Sequence, residues 1–262
     1  MRLRITVLIL AFAAFSATAF AQLSAEEHFS RGLKRYVEKD FEGAISDFSR
    51  VIEKLPDSFE ALNNRGLAKF GKGDYDGAID DYTRSLQLNP DDPDVLLNRG
   101  AAFQEKKNFA RATADFNHAV ELSPSNASVY TGRANARASS RDFRGSIDDL
   151  NRAIGLDPNN PDLYFFRGKA KSGINDFDGA ITDYSRVLTI NNRRTDALNN
   201  RGNAKFNKKD YYGAVADYTS AIAFTQKSSF YRNRARAFRK LGKKGLASVD
   251  DKRAAELEAS NN

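Results

Sequence analysis

Apolar and small residues recur along this chain with a fixed period of 34 residues. The stretch from Phe59 to Asp92 reads FEALNNRGLAKFGKGDYDGAIDDYTRSLQLNPDD, and similar stretches precede and follow it. Counted from the first residue of each period, the recurring positions are offsets 4, 8 and 11, then 20, 24, 27, 28 and 30. Within each block this is the spacing of one face of an α-helix. Each period therefore predicts two helices, joined by a turn such as Gly71 to Asp74.

Seven such periods follow one another, and no linker rich in Gly or Ser divides them. They occupy residues 25–58, 59–92, 93–126, 127–160, 161–194, 195–227 and 228–262. A period of this size indicates a repeat array, in which each helix pair buries its apolar face against its neighbours. The sequence therefore predicts one domain, residues 22–262. In the last pair Lys244 and Asp251 replace aromatic residues, which is typical of a capping repeat.

The repeated residues resemble the tetratricopeptide repeat family. Small residues at offsets 8 and 20, Ala or Val at offset 27 (except Ser85) and Pro at offset 32 carry the resemblance, together with an aromatic residue at offset 24. The aromatic residues are Phe48, Tyr82, Phe116, Tyr184 and Tyr218. The resemblance implies an all-α fold, a right-handed superhelical α-solenoid of helix-turn-helix repeats. It also implies a non-catalytic scaffold for protein–protein interaction, in which the first helix of each pair lines a concave groove.

Two positions depart from the family's pattern. Offset 4 is never Trp, and offset 11 is mostly basic where the family usually has Tyr. The basic residues at offset 11 are Arg35, Lys69, Arg137, Lys171 and Lys205. The expected fold is unaffected, but the chemistry of the groove is not transferable from other members.

Residues 1–21 have the pattern of a secretory signal peptide. Arg2 and Arg4 precede the apolar run Ile5–Phe15, and small residues then lead to Ala21. We expect cleavage after Ala21 and export to a bacterial periplasm or the medium. The alternative is an uncleaved membrane anchor, although the segment is at the lower length limit for spanning a bilayer.

Residue types that carry catalysis are scarce in this sequence. The chain has no Cys, which excludes disulfides, thiol catalysis and cysteine metal sites. Its two histidines, His28 and His118, have no second histidine at metal-ligand spacing. No phosphate-binding loop, dinucleotide fingerprint, zinc motif or nucleophile elbow is present. The sequence thus predicts no enzyme, no metal, no cofactor and no small-molecule substrate.

An arginine at offset 7 and an aspartate at offset 23 occur in every repeat. In an antiparallel helix pair that turns near offset 15, these two offsets lie opposite each other. Arg65 should therefore face Asp81 in a two-pronged ion pair that ties the helices together. The alternative is that the arginines form a row that binds anionic ligands.

Asparagines recur at the offsets expected to line the groove. An amide group both donates and accepts hydrogen bonds, so it can bind a peptide backbone whatever the peptide's side chains are. A phenylalanine at one of these offsets adds an apolar contact. The predicted peptide-binding residues are Asn64, Asn98, Asn200, Asn203, Asn233 and Phe166. The alternative is that these asparagines are merely solvated.

Positive charge is concentrated at the end of the sequence. The chain has a net charge of +7, and the stretch from Ser228 onwards has nine basic and four acidic residues. One interpretation is a solubilising cap. The other is docking on an anionic envelope component through Arg232, Arg236, Arg239 and Lys240. Nucleic acid is not expected as a partner, because exported proteins seldom meet it.

Overall fold

Residues 23–260 are described by a computed structural model, and every regular element among them is an α-helix. The predicted signal peptide lies outside the described residues. The chain divides into two units, the first ending at Asp91 and the second beginning at Asp92. Unit one holds α1 (Ala25–Val37), α2 (Phe41–Lys54), α3 (Phe59–Lys72) and α4 (Tyr75–Leu88). Unit two holds α5 (Pro93–Glu105), α6 (Phe109–Leu122), α7 (Ala127–Ser139), α8 (Phe143–Leu156), α9 (Pro161–Gly173), α10 (Phe177–Ile190), α11 (Thr195–Asn207), α12 (Tyr211–Phe224), α13 (Ser228–Lys240) and α14 (Lys244–Ala259).

Local sequence signals place the helix ends. Each odd-numbered helix begins at the first residue of a repeat. At the start of α1 the Ser24 hydroxyl accepts from the Glu27 amide, and the Glu27 carboxylate accepts from the Ser24 amide. Pro93 and Pro161 occupy the first helical position, where the missing N–H costs nothing.

The turn inside each pair has a fixed form. An aspartate or asparagine at offset 16 caps the second helix in the first six pairs by accepting from a backbone amide. The residue at offset 15, just before this position, has a left-handed backbone in all seven pairs. Glycine occupies it only in repeats two and seven, at Gly73 and Gly242.

Consecutive helices within each unit pack side by side. A buried ring on the second helix lies against a glycine on the first, so that the two backbones come close together. A Cβ atom added at Gly202, for example, would lie only 2.7 Å from the ring of Tyr218. Where Leu150 replaces the ring, Ala134 replaces the glycine, and both are fully buried. The sizes of the two residues therefore compensate each other.

The predicted fold class, an all-α solenoid of helix-turn-helix repeats, is confirmed. The sense of the superhelix and the grouping of all seven pairs into one domain remain predictions.

Candidate functional site

The predicted arginine–aspartate pair is present in all seven repeats. In repeat two, Arg65 Nε and Nη2 donate to the two oxygens of Asp81, over 2.8 Å and 2.6 Å. The other pairs are Arg31–Asp47, Arg99–Asp115, Arg133–Asp149, Arg167–Asp183, Arg201–Asp217 and Arg234–Asp250. Every one of these aspartates is buried. We call each such pair a rung, because it joins the two helices of one repeat.

Five of the seven rungs include a second cation, whose role was not apparent from the sequence. The basic residue at offset 11 also reaches the buried aspartate, as Lys205 does at 2.8 Å from Asp217. The same contact is made by Arg35, Lys69, Arg137 and Lys171. The offset-11 residues therefore belong to the link between the helices. In repeats three and seven the position holds Phe103 and Phe238, on which the rung arginine stacks.

The first rung includes a histidine. The Nδ1 atom of His28 lies 3.0 Å from Asp47 Oδ1, inside a pair where Arg31 and Arg35 also bind the carboxylate. Burial raises the pKa of Asp47, but the hydrogen bonds from Arg31 and His28 and the nearby positive charges outweigh burial and lower it. His28 is thus part of the first rung.

Rung arginines also join neighbouring repeats. The Nη1 atom of Arg201 donates to Ser185 Oγ of the preceding repeat over 3.1 Å, and that of Arg234 donates to Thr219 Oγ1 over 3.0 Å. Each rung arginine is therefore engaged within the protein. This geometry favours the structural interpretation over a row of arginines for anionic ligands.

Two neighbouring cavities open along the first helices of unit two. Cavity A, of about 380 Å³, is lined by Asn135 and Ser139 of α7 and by Phe166 and Lys169 of α9, among others. Cavity B, of about 340 Å³, is lined by five asparagine or serine side chains together with Lys169, Phe177 and Tyr184. The five are Ser172, Asn175, Asn200, Asn203 and Asn207. Lys169 is thus the wall that the two cavities share.

Three of the predicted peptide-binding residues line these cavities. Phe166 is part of cavity A, and Asn200 and Asn203 are part of cavity B. Asn203 is already used inside the protein, because its Oδ1 accepts from the Tyr218 hydroxyl over 2.7 Å. Its Nδ2 group can still donate to a ligand.

The other predicted asparagines lie outside the two cavities. Asn64 donates to the Glu60 carbonyl of its own helix over 2.7 Å, and Asn233 donates to Asn199 Oδ1 over 2.9 Å. Asn98 is half-buried on α5. Their role in binding remains a prediction.

Several cavity residues were not chosen from the sequence, notably Lys169, Ser139 and Asn207. All three stand at offsets 9 and 13, which the resemblance assigns to the groove. The residues at these two offsets vary from repeat to repeat, so no repeated residue type marks the three positions.

The cations predicted to dock on an anionic surface are mostly engaged within the protein. Arg232 binds Glu258 over 2.5 Å, Arg239 binds Asp251, and the Arg236 guanidinium lies 5.0 Å from the ring centroid of Phe206. Lys240 is exposed. Docking through these four residues remains a prediction.

Within residues 23–260, no three His, Asp or Glu side chains are grouped so that they could hold a metal ion. None of the helices in this range is long and apolar enough to cross a membrane.

Known proteins with helix-pair repeats are similar to this chain. Family models described as tetratricopeptide repeat match residues 59–92 and 97–161. A tetratricopeptide repeat protein from Parabacteroides merdae ATCC 43184 has a similar structure, with a TM-score of 0.71, 16% identity, and coverage of 89% of this chain and 93% of that one. No curated protein sequence is significantly similar to this chain.

Two further solved structures are similar. The MamA protein has a TM-score of 0.59 and 26% identity, covering 66% of this chain and 94% of its own. YrrB, described as a TPR protein with an unusual peptide-binding site, has a TM-score of 0.58 and 18% identity, covering 68% and 92%.

Proposed function

We propose that this tetratricopeptide repeat protein holds an extended peptide segment of a partner protein in cavities A and B. Proteins of this family are scaffolds for protein–protein interaction. The observation that carries the proposal is the pair of adjacent cavities on the first helices of unit two. The role is binding without catalysis.

The lining of the cavities fits an extended peptide. Cavity B offers amide groups that can pair with a backbone whatever its sequence, and cavity A offers the rings of Phe143 and Phe166 to an apolar side chain. An extended chain leaves its N–H and C=O groups free for such contacts, whereas a helix uses them internally. YrrB is described as binding peptide on the same fold, which is compatible with this role.

Site-specific crosslinking tests the proposal. A photoreactive amino acid replaces Ser139 or Asn207, which are exposed and line cavities A and B. We expect both positions to crosslink the same partner in cells, identified by mass spectrometry. Matched control positions are Arg144 and Ser220, which are exposed on second helices.

A second variant separates the groove from the rest of the surface. Lys169→Glu reverses the charge of the shared wall, and Arg144→Glu makes the same change outside the cavities. We expect only Lys169→Glu to reduce crosslinking at Ser139 and Asn207. Equal crosslinking from the groove and control positions would refute the groove as the binding site.

Export is part of the proposal and rests on the sequence of residues 1–21. We propose that the protein acts in a bacterial periplasm or the medium after cleavage behind Ala21. N-terminal sequencing of the protein from its native cells tests this, and a first residue other than Gln22 would contradict it.

Docking of an anionic envelope component through Arg232, Arg236, Arg239 and Lys240 is the alternative function. Three of these four side chains have partners within the protein, so less of their charge is available to bind an anionic component. The groove is the better-supported site for the main function.

A further inference from the structure

Five lysines gather on the two turns that connect α11 to α12 and α13 to α14. They are Lys208, Lys209, Lys240, Lys243 and Lys244, and all five are exposed. Helices α11 and α13 contact each other, and Lys243 Nζ lies 5.4 Å from the ring centroid of Tyr212 in the first turn of α12. The two turns therefore form one continuous surface, which we call the lysine edge.

Nearby carboxylates neutralise only part of this charge. Asp178 binds Lys208, and Asp210 accepts from the Gly213 amide as a helix cap. The other four lysines form no ion pair within residues 23–260. The lysine edge thus keeps positive charge that the fold itself does not use.

Apolar side chains are exposed beside these lysines. Tyr212 is 68% exposed and Leu246, in the first turn of α14, is 50% exposed. In the first five repeats the residues corresponding to Tyr212 are Glu42, Asp76, Ala110, Arg144 and Asp178. An exposed tyrosine and leucine surrounded by lysines are the combination that binds the interface of an anionic bilayer.

The lysine edge also departs from the local rules of the other repeats. Lys243 stands where six repeats have a capping aspartate or asparagine, and it makes no side-chain cap. An aspartate or asparagine at this position would cap the helix. At Lys243 a lysine therefore stands where another residue would be more stable.

We propose that the lysine edge docks on the surface of a membrane that contains anionic phospholipid. Lysine side chains are flexible point charges that suit mobile headgroups, whereas arginine forks suit fixed ligands. Tyr212 and Leu246 insert at headgroup depth, and this apolar contact distinguishes a bilayer from nucleic acid or an acidic protein.

Vesicle co-sedimentation of the full-length protein tests the proposal. The probes are vesicles of phosphatidylcholine alone and vesicles that also contain phosphatidylglycerol. We expect binding only to the second kind, weakened by added salt. The variant Lys240→Glu/Lys244→Glu should lower the partition coefficient about 25-fold or more, since each lysine near an anionic surface contributes about fivefold.

A charge-matched control lies at the opposite ends of the same helices. Arg193→Glu/Lys227→Glu changes the net charge equally but leaves the lysine edge intact, so its binding should stay near that of the unmodified protein. Both variants keep the same N-terminal segment, so any lipid binding by that segment cancels in the comparison.

Tryptophan fluorescence tests the depth of insertion. The chain has no Trp, so Tyr212→Trp introduces a single reporter. We expect a blue shift with anionic vesicles for Tyr212→Trp and none for Phe224→Trp, which is at the other end of α12.

Three outcomes would overturn the proposal. They are no vesicle binding, equal loss of binding in the two double variants, or no shift of Tyr212→Trp on bound vesicles. Binding to duplex DNA or heparin as tight as binding to vesicles, together with an unshifted Tyr212→Trp, would assign the lysine edge to an acidic macromolecule instead. Crosslinking in cavities A and B is a separate measurement, so either result can fail alone.

Discussion

Repeats six (α11 and α12) and seven (α13 and α14) share one architecture but differ in three contacts. Repeat six has Gly202 under the ring of Tyr218, a rung with two cations, and Asp210 as a cap. Repeat seven has Ala235 at the glycine position, a rung with Arg234 alone, and the uncapped turn at Lys243. Both keep the rung itself.

The difference separates contacts within a pair from contacts between pairs. A rung joins the two helices of one repeat, so every repeat requires it. The ring of Tyr218 is also part of a buried cluster with Ala237 of α13, so it is required where another pair packs against it. On α14 the corresponding residue is Asp251, which binds Arg239 at the surface. At this position, which packs against the next pair in repeat six, repeat seven therefore has a charged residue instead.

Loss of a rung carboxylate should have the largest effect. Asp217→Ala leaves Arg201 and Lys205 without their buried partner and should destabilise by about 3 kcal/mol. Asp250→Ala leaves one cation and should cost less. Hydrogen exchange of α11 to α14 measures both, because it reports local opening in an array that need not unfold in one step. Asp148→Ala, at an exposed position, is the control, and equal effects of all three would contradict the rung's role.

Filling the glycine position should distinguish the two repeats next. In Gly202→Ala the new Cβ meets the Tyr218 ring at 2.7 Å, so the helices must separate, at a cost of about 1–3 kcal/mol. The reverse change in repeat seven, Ala235→Gly, creates no clash but removes a fully buried methyl group, and it should cost about 1–2 kcal/mol through that loss and helix propensity. Exchange protection of the helices measures both changes. A neutral Gly202→Ala would show that the ring does not limit the approach of the helices.

The caps should differ in the sign of the effect. Lys243 has φ −83° and ψ 61°, close to the −78° and 75° of Asp210, so an aspartate there can cap α14. Lys243→Asp should therefore stabilise repeat seven by about 1 kcal/mol, and Asp210→Ala should destabilise repeat six by a similar amount. Thermal unfolding followed by circular dichroism measures both. Because Lys243 belongs to the lysine edge, Lys243→Asp should also weaken vesicle binding while it stabilises the fold.

A hydroxyl deletion should have an effect no larger than the loss of a cap. The Tyr218 hydroxyl donates to Asn203, so Tyr218→Phe should cost about 1 kcal/mol. Tyr82 of repeat two occupies the same offset, but its buried hydroxyl has no partner among residues 23–260. There the residue corresponding to Asn203 is Leu67. Tyr82→Phe should be neutral or slightly stabilising, as denaturation midpoints would measure, and a loss equal to that of Tyr218→Phe would reveal an unseen partner.

Contacts inside a repeat were predictable because they are local. The two helices of each repeat and the rung between them follow from offsets within a single 34-residue period. A helix rises by a fixed distance per residue, so opposite positions in a hairpin are set by counting. The lining of the cavities was predicted only in part, since Asn200, Asn203 and Phe166 were predicted to bind peptide and Lys169 was not.

The sequence by itself determined the helices, their pairing and the residues that hold each pair together, because these depend on spacing along one short hairpin. Only the tertiary structure decided which charged side chains make contacts within the protein. The offset-11 cations turned towards buried aspartates, Arg232 and Arg239 found carboxylates on α14, and Lys243 came to lie beside Tyr212. These contacts join residues 12 to 31 positions apart on different helices, and they depend on the packing angle of the helices and on side-chain rotamers. Residue spacing alone specifies neither the packing angle nor the rotamers.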